Sequence, residues 1–224
     1  MGTHETTLPS FSELLSQLQA QKTIRQGFRL PLSREDAYRL LYAAYRAEVE
    51  HSGRTFKSDD ETLRVINEVA SYLTLQDRML TGMMFCGVCG NGKTTMLYAI
   101  QNAINWIYKH NLFPPHYADE KLNSMPIVDA KTIVRRVIAK PDSFRRTPLL
   151  GIEDLGREPA EVKEYGNVVY PITDLFEDRY NDRLFTIITT NLTGAQLKER
   201  YDTRVTDRMN ELLHIIVFRN ASYR

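Results

Sequence analysis

The spacing of hydrophobic positions along the chain changes near residue 80. Before it, apolar residues recur every three or four positions. After it, they gather into short runs separated by helical stretches. In the first third, Phe11, Leu14, Leu15 and Leu18 share one helical face. Ala37, Leu40, Leu41, Ala44 and Tyr45 share a second, and Leu63, Ile66, Val69 and Leu73 a third. Each stripe follows a capping pair: Ser10 with Glu13, Ser33 with Asp36, and Ser58 with Glu61. In such pairs a hydroxyl and an acid three residues on satisfy amides that the first helical turn leaves unpaired. The pattern predicts three helices with packing faces, and residues 51–57 form a connecting loop.

Beyond residue 80 the apolar runs are Met83–Cys86, Ile127–Ala130, Leu149–Ile152, Leu184–Ile188 and His214–Phe218. Helices are predicted between them, over Thr94–His110, Lys131–Lys140 and Val168–Asn181, and as a short pair at about Ala195–Arg200 and Thr203–Leu213. Pro171 falls near a first turn, where a missing N–H costs nothing. Strands alternating with helices predict an α/β fold with a mainly parallel, doubly wound sheet. Ligands in such sheets bind at the carboxyl ends of the strands.

Composition narrows the picture. The chain has 224 residues, of which 42% are hydrophobic and 25% charged, enough for one α/β domain with a small appendage. The net charge of +1 gives no global field for nucleic acid, so any DNA contact needs a local patch. The densest basic run is Lys131, Arg135, Arg136, Lys140, Arg145 and Arg146. It shares a predicted helix with Ile133, Val134, Val137 and Ile138, so it faces outward, either as a solvated face or as a contact for phosphates. No apolar run reaches membrane-spanning length and the polar start is no signal peptide, which makes the cytoplasm the expected location. Cys86 and Cys89 form a C-x-x-C, but a four-thiolate zinc site needs a second pair and the sequence has none. Cys86 therefore reads as a buried strand residue and Cys89 as a variable loop position.

The chemistry concentrates at the ends of the predicted strands. Gly87-Val88-Cys89-Gly90-Asn91-Gly92-Lys93-Thr94 fits G-x-x-x-x-G-K-[ST], a loop whose backbone amides cradle a triphosphate. In that loop Lys93 reaches the β/γ-phosphates and Thr94 offers its hydroxyl to Mg²⁺, while the following helix points its positive end at the anion. Ile152-Glu153-Asp154-Leu155-Gly156 ends another apolar strand. One carboxylate there can hold magnesium beside Thr94, and the other can polarise an attacking water. Thr189-Thr190-Asn191 ends the next strand and reads either as a γ-phosphate sensor or as a turn. Arg200, Arg204 and Arg208 lie on the short helices before the last strand, as solvated surface or as a source of an arginine finger.

Taken together, these stretches resemble the AAA+ ATPases of the DnaC/IstB group, bacterial helicase loaders and helpers of certain transposases. The resemblance covers residues 58–224 and rests on Gly87–Thr95, Leu149–Gly156, Thr186–Leu192 and Arg200–Arg224, which ends in Ser-Tyr-Arg. It implies a P-loop NTPase of AAA+ type, with a five-stranded parallel sheet flanked by helices and no C-terminal lid domain. Residues 1–57 would be a separate helical segment that engages a partner. The cofactors implied are ATP and Mg²⁺. The loop Gly87, Val88, Cys89, Gly90, Asn91, Gly92, Lys93, Thr94 and Thr95 would hold the nucleotide, and Thr94 and Glu153 the metal. Lys93, Glu153, Asp154, Asn191 and Arg208 would be the catalytic set, Arg208 acting as a finger on a neighbouring subunit.

The group usually has Asp where this chain has Glu153, and many relatives in the wider class have Glu where it has Asp154. The order Glu then Asp predicts retained binding and weak turnover. Three functions stay open: a DnaC-like helicase loader acting in DNA replication, an IstB-like helper of a transposase, and an ATP-binding adaptor that does not hydrolyse. The partners implied are a replicative helicase or transposase, single- or double-stranded DNA, and further copies of the chain when assembled.

Overall fold

Residues 9–21, 27–75, 80–118, 124–164 and 166–223 are described in the structure, a computed structural model. Three helices open the chain: α1 (Phe11–Gln21), α2 (Arg34–His51) and α3 (Asp60–Thr74). β1 (Gly82–Cys86) leads through the glycine-rich loop into α4 (Lys93–Lys109), followed by the short α5 (Pro115–Ala118). Then come β2 (Ile127–Asp129), α6 (Ala130–Ala139) and β3 (Leu149–Leu155), and after these β4 (Val162–Glu164) and β5 (Asn167–Val169). The chain closes with α7 (Pro171–Asn181), β6 (Phe185–Thr190), α8 (Gly194–Leu212) and β7 (Leu213–Val217).

Five strands form one parallel sheet in the order β2-β3-β6-β1-β7. β6 therefore lies between the strand that feeds the glycine-rich loop and the strand that carries the two acids. Successive residues of a strand face opposite sides, and β1 divides accordingly. Met83 and Phe85 pack with α2, α3 and α4 through Leu41, Ile66, Leu73, Ile100 and Ile104. Met84 joins the opposite core with α6, α7 and α8 through Ile133, Phe176, Val205 and Met209. The five parallel strands and the two helical layers match the sequence expectation.

Several local expectations change. On α1, Phe11 is 81% exposed and Leu15 is also exposed, so that stripe is not buried within this chain; the Leu18 side chain lies outside the described residues. α2 does bury its stripe, through Ala37, Leu41 and Tyr45, and it shares one core with α3 and α4. Residues 27–57 contribute Phe28, Leu30, Ala37, Leu41 and Tyr45 to that same core. The cap of α3 is Asp59 rather than Ser58: its carboxylate accepts the Thr62 amide at 2.8 Å. Glu61 serves Arg64 and the Arg219 amide instead. β3 continues through both acids to Leu155. Residues 168 and 169, expected at the start of a helix, belong instead to β5, which pairs antiparallel with β4, and α7 begins at Pro171. The two expected helices after β6 are both present within α8, separated by a kink at Asp202, whose φ is 64°.

One buried cation joins distant parts of the sheet's second layer. Arg179 is 1% exposed, and its hydrogen bonds go to neutral oxygens. Its guanidinium donates to the carbonyls of Phe144, Thr147 and Phe185 and to Thr186 Oγ1, all within 2.9 Å. Burial presses its pKa down to about 9, which leaves it charged at neutral pH. Arg179→Met keeps the apolar stem but strands those acceptors, each costing roughly 1–3 kcal/mol when buried without a donor. We expect a loss of about 3 kcal/mol or more in urea unfolding, with the 144–147 loop becoming protease-sensitive.

Candidate functional site

The glycine-rich loop spans residues 87–92 between β1 and α4. Its shape depends on backbone angles that side chains resist. Gly92 has φ of 97°, and a Cβ there would sit 2.3 Å from the Tyr45 hydroxyl. A Cβ on Gly87 would meet Asn91 Nδ2 at 2.4 Å and the Phe218 carbonyl at 2.6 Å. The loop is therefore wrapped closely by α2 on one side and by the chain after β7 on the other.

Lys93 lies under this loop with 5% of its surface exposed. Its ammonium donates to the carbonyls of Gly87 and Val88 at 2.7 Å each and to Asn91 Oδ1 at 3.1 Å. Burial lowers its pKa, opposed by Cys89, Asp154 and Cys86 nearby. Asn91 is 1% exposed and its amide donates to the Phe218 carbonyl at 3.0 Å, so it braces both Lys93 and the end of β7. Asn91 thus has a structural task that the motif did not reveal.

The two acids reach the same place by an irregularity. β3 pairs with β6 in step from Leu149 to Ile152, then resumes with Leu155 opposite Thr190. Glu153 and Asp154 together stand opposite the single residue Thr189, which makes a β-bulge. Asp154 takes φ of 55° and its amide donates to Thr189 Oγ1 at 2.9 Å. Thr190 Oγ1 donates to the Leu155 carbonyl at 2.8 Å and accepts the Leu192 amide. Thr189 and Thr190 are buried. Their role is to stitch the bulge, which sequence reading left between a sensor and a turn.

A cavity of about 140 Å³ collects these groups. It is lined by Cys89, Gly90, Asn91, Gly92, Lys93, Thr94, Thr95, Glu153, Asp154 and Asn191, with Arg54 and Arg157 added. Gly87 and Val88 form the back of the loop and line a different, apolar groove behind it. Thr94 and Glu153 offer a hydroxyl and a carboxylate to one space. Among the described residues no group of three or more His, Cys, Asp or Glu could hold a metal alone. That donor set suits Mg²⁺, which takes one or two protein oxygens and fills its shell with phosphates and water.

A second cavity, of about 210 Å³, shares Arg54, Gly90, Gly92 and Thr95 with the first. Its walls come from α2, the 54–57 loop, Thr62 and Tyr223. The Tyr223 amide donates to the Gly90 carbonyl at 3.0 Å, and its hydroxyl donates to Asp59. Although burial raises it, the hydrogen bonds from Tyr223 and Thr62 hold the Asp59 carboxyl below its ordinary range. Tyr45, Arg54, Phe56 and Tyr223 were not among the sequence candidates. The only hint was the Ser-Tyr ending, because the folding of residues 45–62 over the loop is a tertiary event.

Arg208 does not line the cavity. Its guanidinium pairs with Glu177 at 2.5 Å and lies over the Tyr180 ring, with the side chain 20% exposed. Arg204 reaches the same carboxylate at 3.6 Å but is 70% exposed. Arg200 joins Tyr201 around the buried Glu158. In the basic run, Lys131, Arg135, Arg136, Lys140 and Arg146 are exposed, as expected. Arg145 is engaged with Asp178 at 3.0 Å and leaves that face.

The strand order, the loop between β1 and α4, and the acids on β3 give the chain an α/β P-loop NTPase fold. The fold is similar to that of the DnaC helicase loader, with a TM-score of 0.54 and 21% identity, over 73% of this chain and 93% of that one. It is also similar to DnaI, with a TM-score of 0.54 and 20% identity, over 79% of this chain and 93% of that one. No protein-family model matches the sequence, and no curated protein matches it. Among the described residues, no helix is long and apolar enough to cross a membrane.

The two cysteines differ in setting. Cys89 is exposed at the cavity, whereas Cys86 is half-buried and burial raises its thiol pKa. Since the thiolate is the reactive form, a maleimide should label Cys89 much faster than Cys86. Mass spectrometry of a time course would check the order.

Proposed function

We propose that this chain binds Mg–ATP and hydrolyses it slowly, as an AAA+ ATPase acting in DNA replication in the manner of a helicase loader. The single observation that supports this is the convergence of Lys93, Thr94, Glu153, Asp154 and Asn191 on one cavity at the carboxyl ends of parallel strands. The triphosphate would lie along the loop amides, with the Lys93 ammonium exchanging loop carbonyls for phosphate oxygens. Magnesium, when bound, would neutralise charge on the phosphates, held by Thr94 and Glu153. Asp154 would accept the proton of the attacking water, and Asn191 would orient that water. The base would enter the neighbouring cavity between Phe56, Tyr45 and Tyr223, aromatic walls that suit a purine.

The likeness in fold to the DnaC helicase loader supports a helicase as the partner, ahead of a transposase. Among the described residues of the N-terminal segment, the exposed apolar Phe11 and Leu15 of α1 would engage it. The outward face of α6, with Lys131, Arg135, Arg136 and Lys140, would meet DNA phosphates. A second reading, the adaptor without turnover, is favoured by the pairing of Asp154 with Arg157. ATP–Mg²⁺ should raise the melting temperature, because a ligand bound by the native state alone stabilises it. Lys93→Ala should remove most of the rise, and bound ATP should protect Cys89 from the maleimide. No shift at millimolar ATP would sink the nucleotide reading, while a shift without phosphate release would select the adaptor.

Arg208 is proposed to serve the phosphates of a neighbouring copy. It must first leave Glu177, so the finger works only where assembly offers a better anion. In GTPases such fingers give about 10³ to 10⁵ in rate, and the Glu153-Asp154 order should hold the gain here below that. Mixing Lys93→Ala with Arg208→Ala should restore part of the activity that neither shows alone, read as phosphate release by assemblies on DNA or partner. Full activity of Arg208→Ala by itself would pass the role to the more exposed Arg204.

A further inference from the structure

Asp154 is not free in the structure. Arg157 Nη1 donates to its Oδ2 at 2.7 Å. The contact is local, since the Arg157 amide also closes a turn onto the Asp154 carbonyl at 3.1 Å. Of the two side chains, the acid is the fixed one. The bulge and the Thr189 hydroxyl set its backbone, and it is 32% exposed. Arg157 is 63% exposed, has a long stem, and lines the same cavity as Lys93 and Thr94.

An exposed ion pair of this kind is weak, because water solvates both charges and the long side chain gives up rotamers to hold it. A triphosphate entering the cavity offers several negative charges in place of one. Its oxygens also fit the planar guanidinium fork at two points. The competition for Arg157 therefore runs in favour of the phosphates.

We propose that Arg157 is a switch between two anions: it holds Asp154 while the site is empty and moves to the terminal phosphates when ATP binds. The idea rests on the ATPase reading. Its consequence is an ordered reaction. The Asp154 carboxylate becomes available as a proton acceptor only after a triphosphate has drawn Arg157 away. Then water oxygen bonds to the γ-phosphorus, the bridging P–O bond breaks with its electron pair leaving on ADP, and the water proton passes to Asp154. The same movement supplies the phosphates with a cation from their own subunit, separate from any finger in trans.

Binding of Mg–AMPPNP and Mg–ADP to the full chain by calorimetry tests this, with Arg157→Ala, Asp154→Asn and the double variant. Arg157→Ala should weaken AMPPNP by about tenfold, the scale of one charge-assisted hydrogen bond, and ADP by much less. Asp154→Asn should tighten AMPPNP by roughly two- to fivefold, the worth of an exposed ion pair, because Arg157 is released in advance. That gain should vanish when Arg157 is also absent, a coupling that a merely structural arginine would not produce. Equal AMPPNP affinity of wild type and Arg157→Ala would overturn the switch. So would a gain from Asp154→Asn that persists undiminished in the Arg157→Ala background. Wild-type protein that binds neither nucleotide would overturn the nucleotide reading itself, and the switch with it.

Discussion

Two neighbouring carboxylates on a regular strand point to opposite faces. Here both Glu153 and Asp154 line one cavity, and the β-bulge opposite Thr189 is what permits it. The site depends on this break in register. The bulge leaves the Asp154 amide outside the ladder, and a buried amide without a partner is costly. Thr189 Oγ1 takes that amide, and Thr190 Oγ1 closes the other side on the Leu155 carbonyl. β6 thus holds β3 in this shape. Since β6 also pairs with β1, the acids, Asn191 and the glycine-rich loop are fixed relative to one another by three adjacent strands.

The glycine-rich loop is held from outside as well. Asn91 ties it to the Phe218 carbonyl, Tyr223 ties it to α3 through Asp59, and the Tyr45 hydroxyl sits where a side chain on Gly92 would be. Lys93, meanwhile, has its donors occupied by the loop's own carbonyls, which offsets the desolvation of its charge. A ligand offering phosphate oxygens would replace these carbonyls with stronger acceptors without moving the backbone far. Residues 45–62 and 218–223, distant in sequence, become neighbours only because they clasp the same loop. They form the second cavity as a by-product of holding the first in shape.

Legibility in the sequence depends on how local each feature is. The P-loop, the helix after it and the five apolar runs are short-range patterns, and they appear where expected. The bulge could not be read, because adjacent acids look the same on a straight strand and on a broken one. The Asp59 cap was hidden behind Ser58, an equally good capping residue one position earlier. The pairing of β4 with β5 was obscured because Val168 joined the apolar spacing of α7, although Pro171 marked the true start. α1 has the stripe of a buried helix, yet Phe11 and Leu15 face out. Periodicity reports that a face is apolar and not what covers it. Arg179 shows the converse: nothing in its sequence surroundings announces a charge buried among carbonyls.

The balance of charge in the cavity bears on why an arginine from elsewhere would matter. Lys93, Arg54 and Arg157 face Glu153 and Asp154, so the three cations exceed the two acids by only one charge before any ligand arrives. A magnesium triphosphate keeps net negative charge, and transfer of its terminal phosphoryl group spreads more onto the outer oxygens. Under the ATPase reading, Lys93 would serve the loop side of the phosphates and Arg157 would reach them only after leaving Asp154, so their outward flank would at first meet solvent and Arg54. A cation arriving there from another copy acts in a partly water-excluded space, where it is worth more than in bulk water. As the proposed finger, Arg208 would be kept from acting early by Glu177 and Tyr180 of its own chain. Under the ATPase reading, each arginine is held by an acid until a phosphate replaces it, Arg157 by binding and Arg208 by assembly. Turnover would then require both events in succession, which suits a protein whose hydrolysis should wait for its partner.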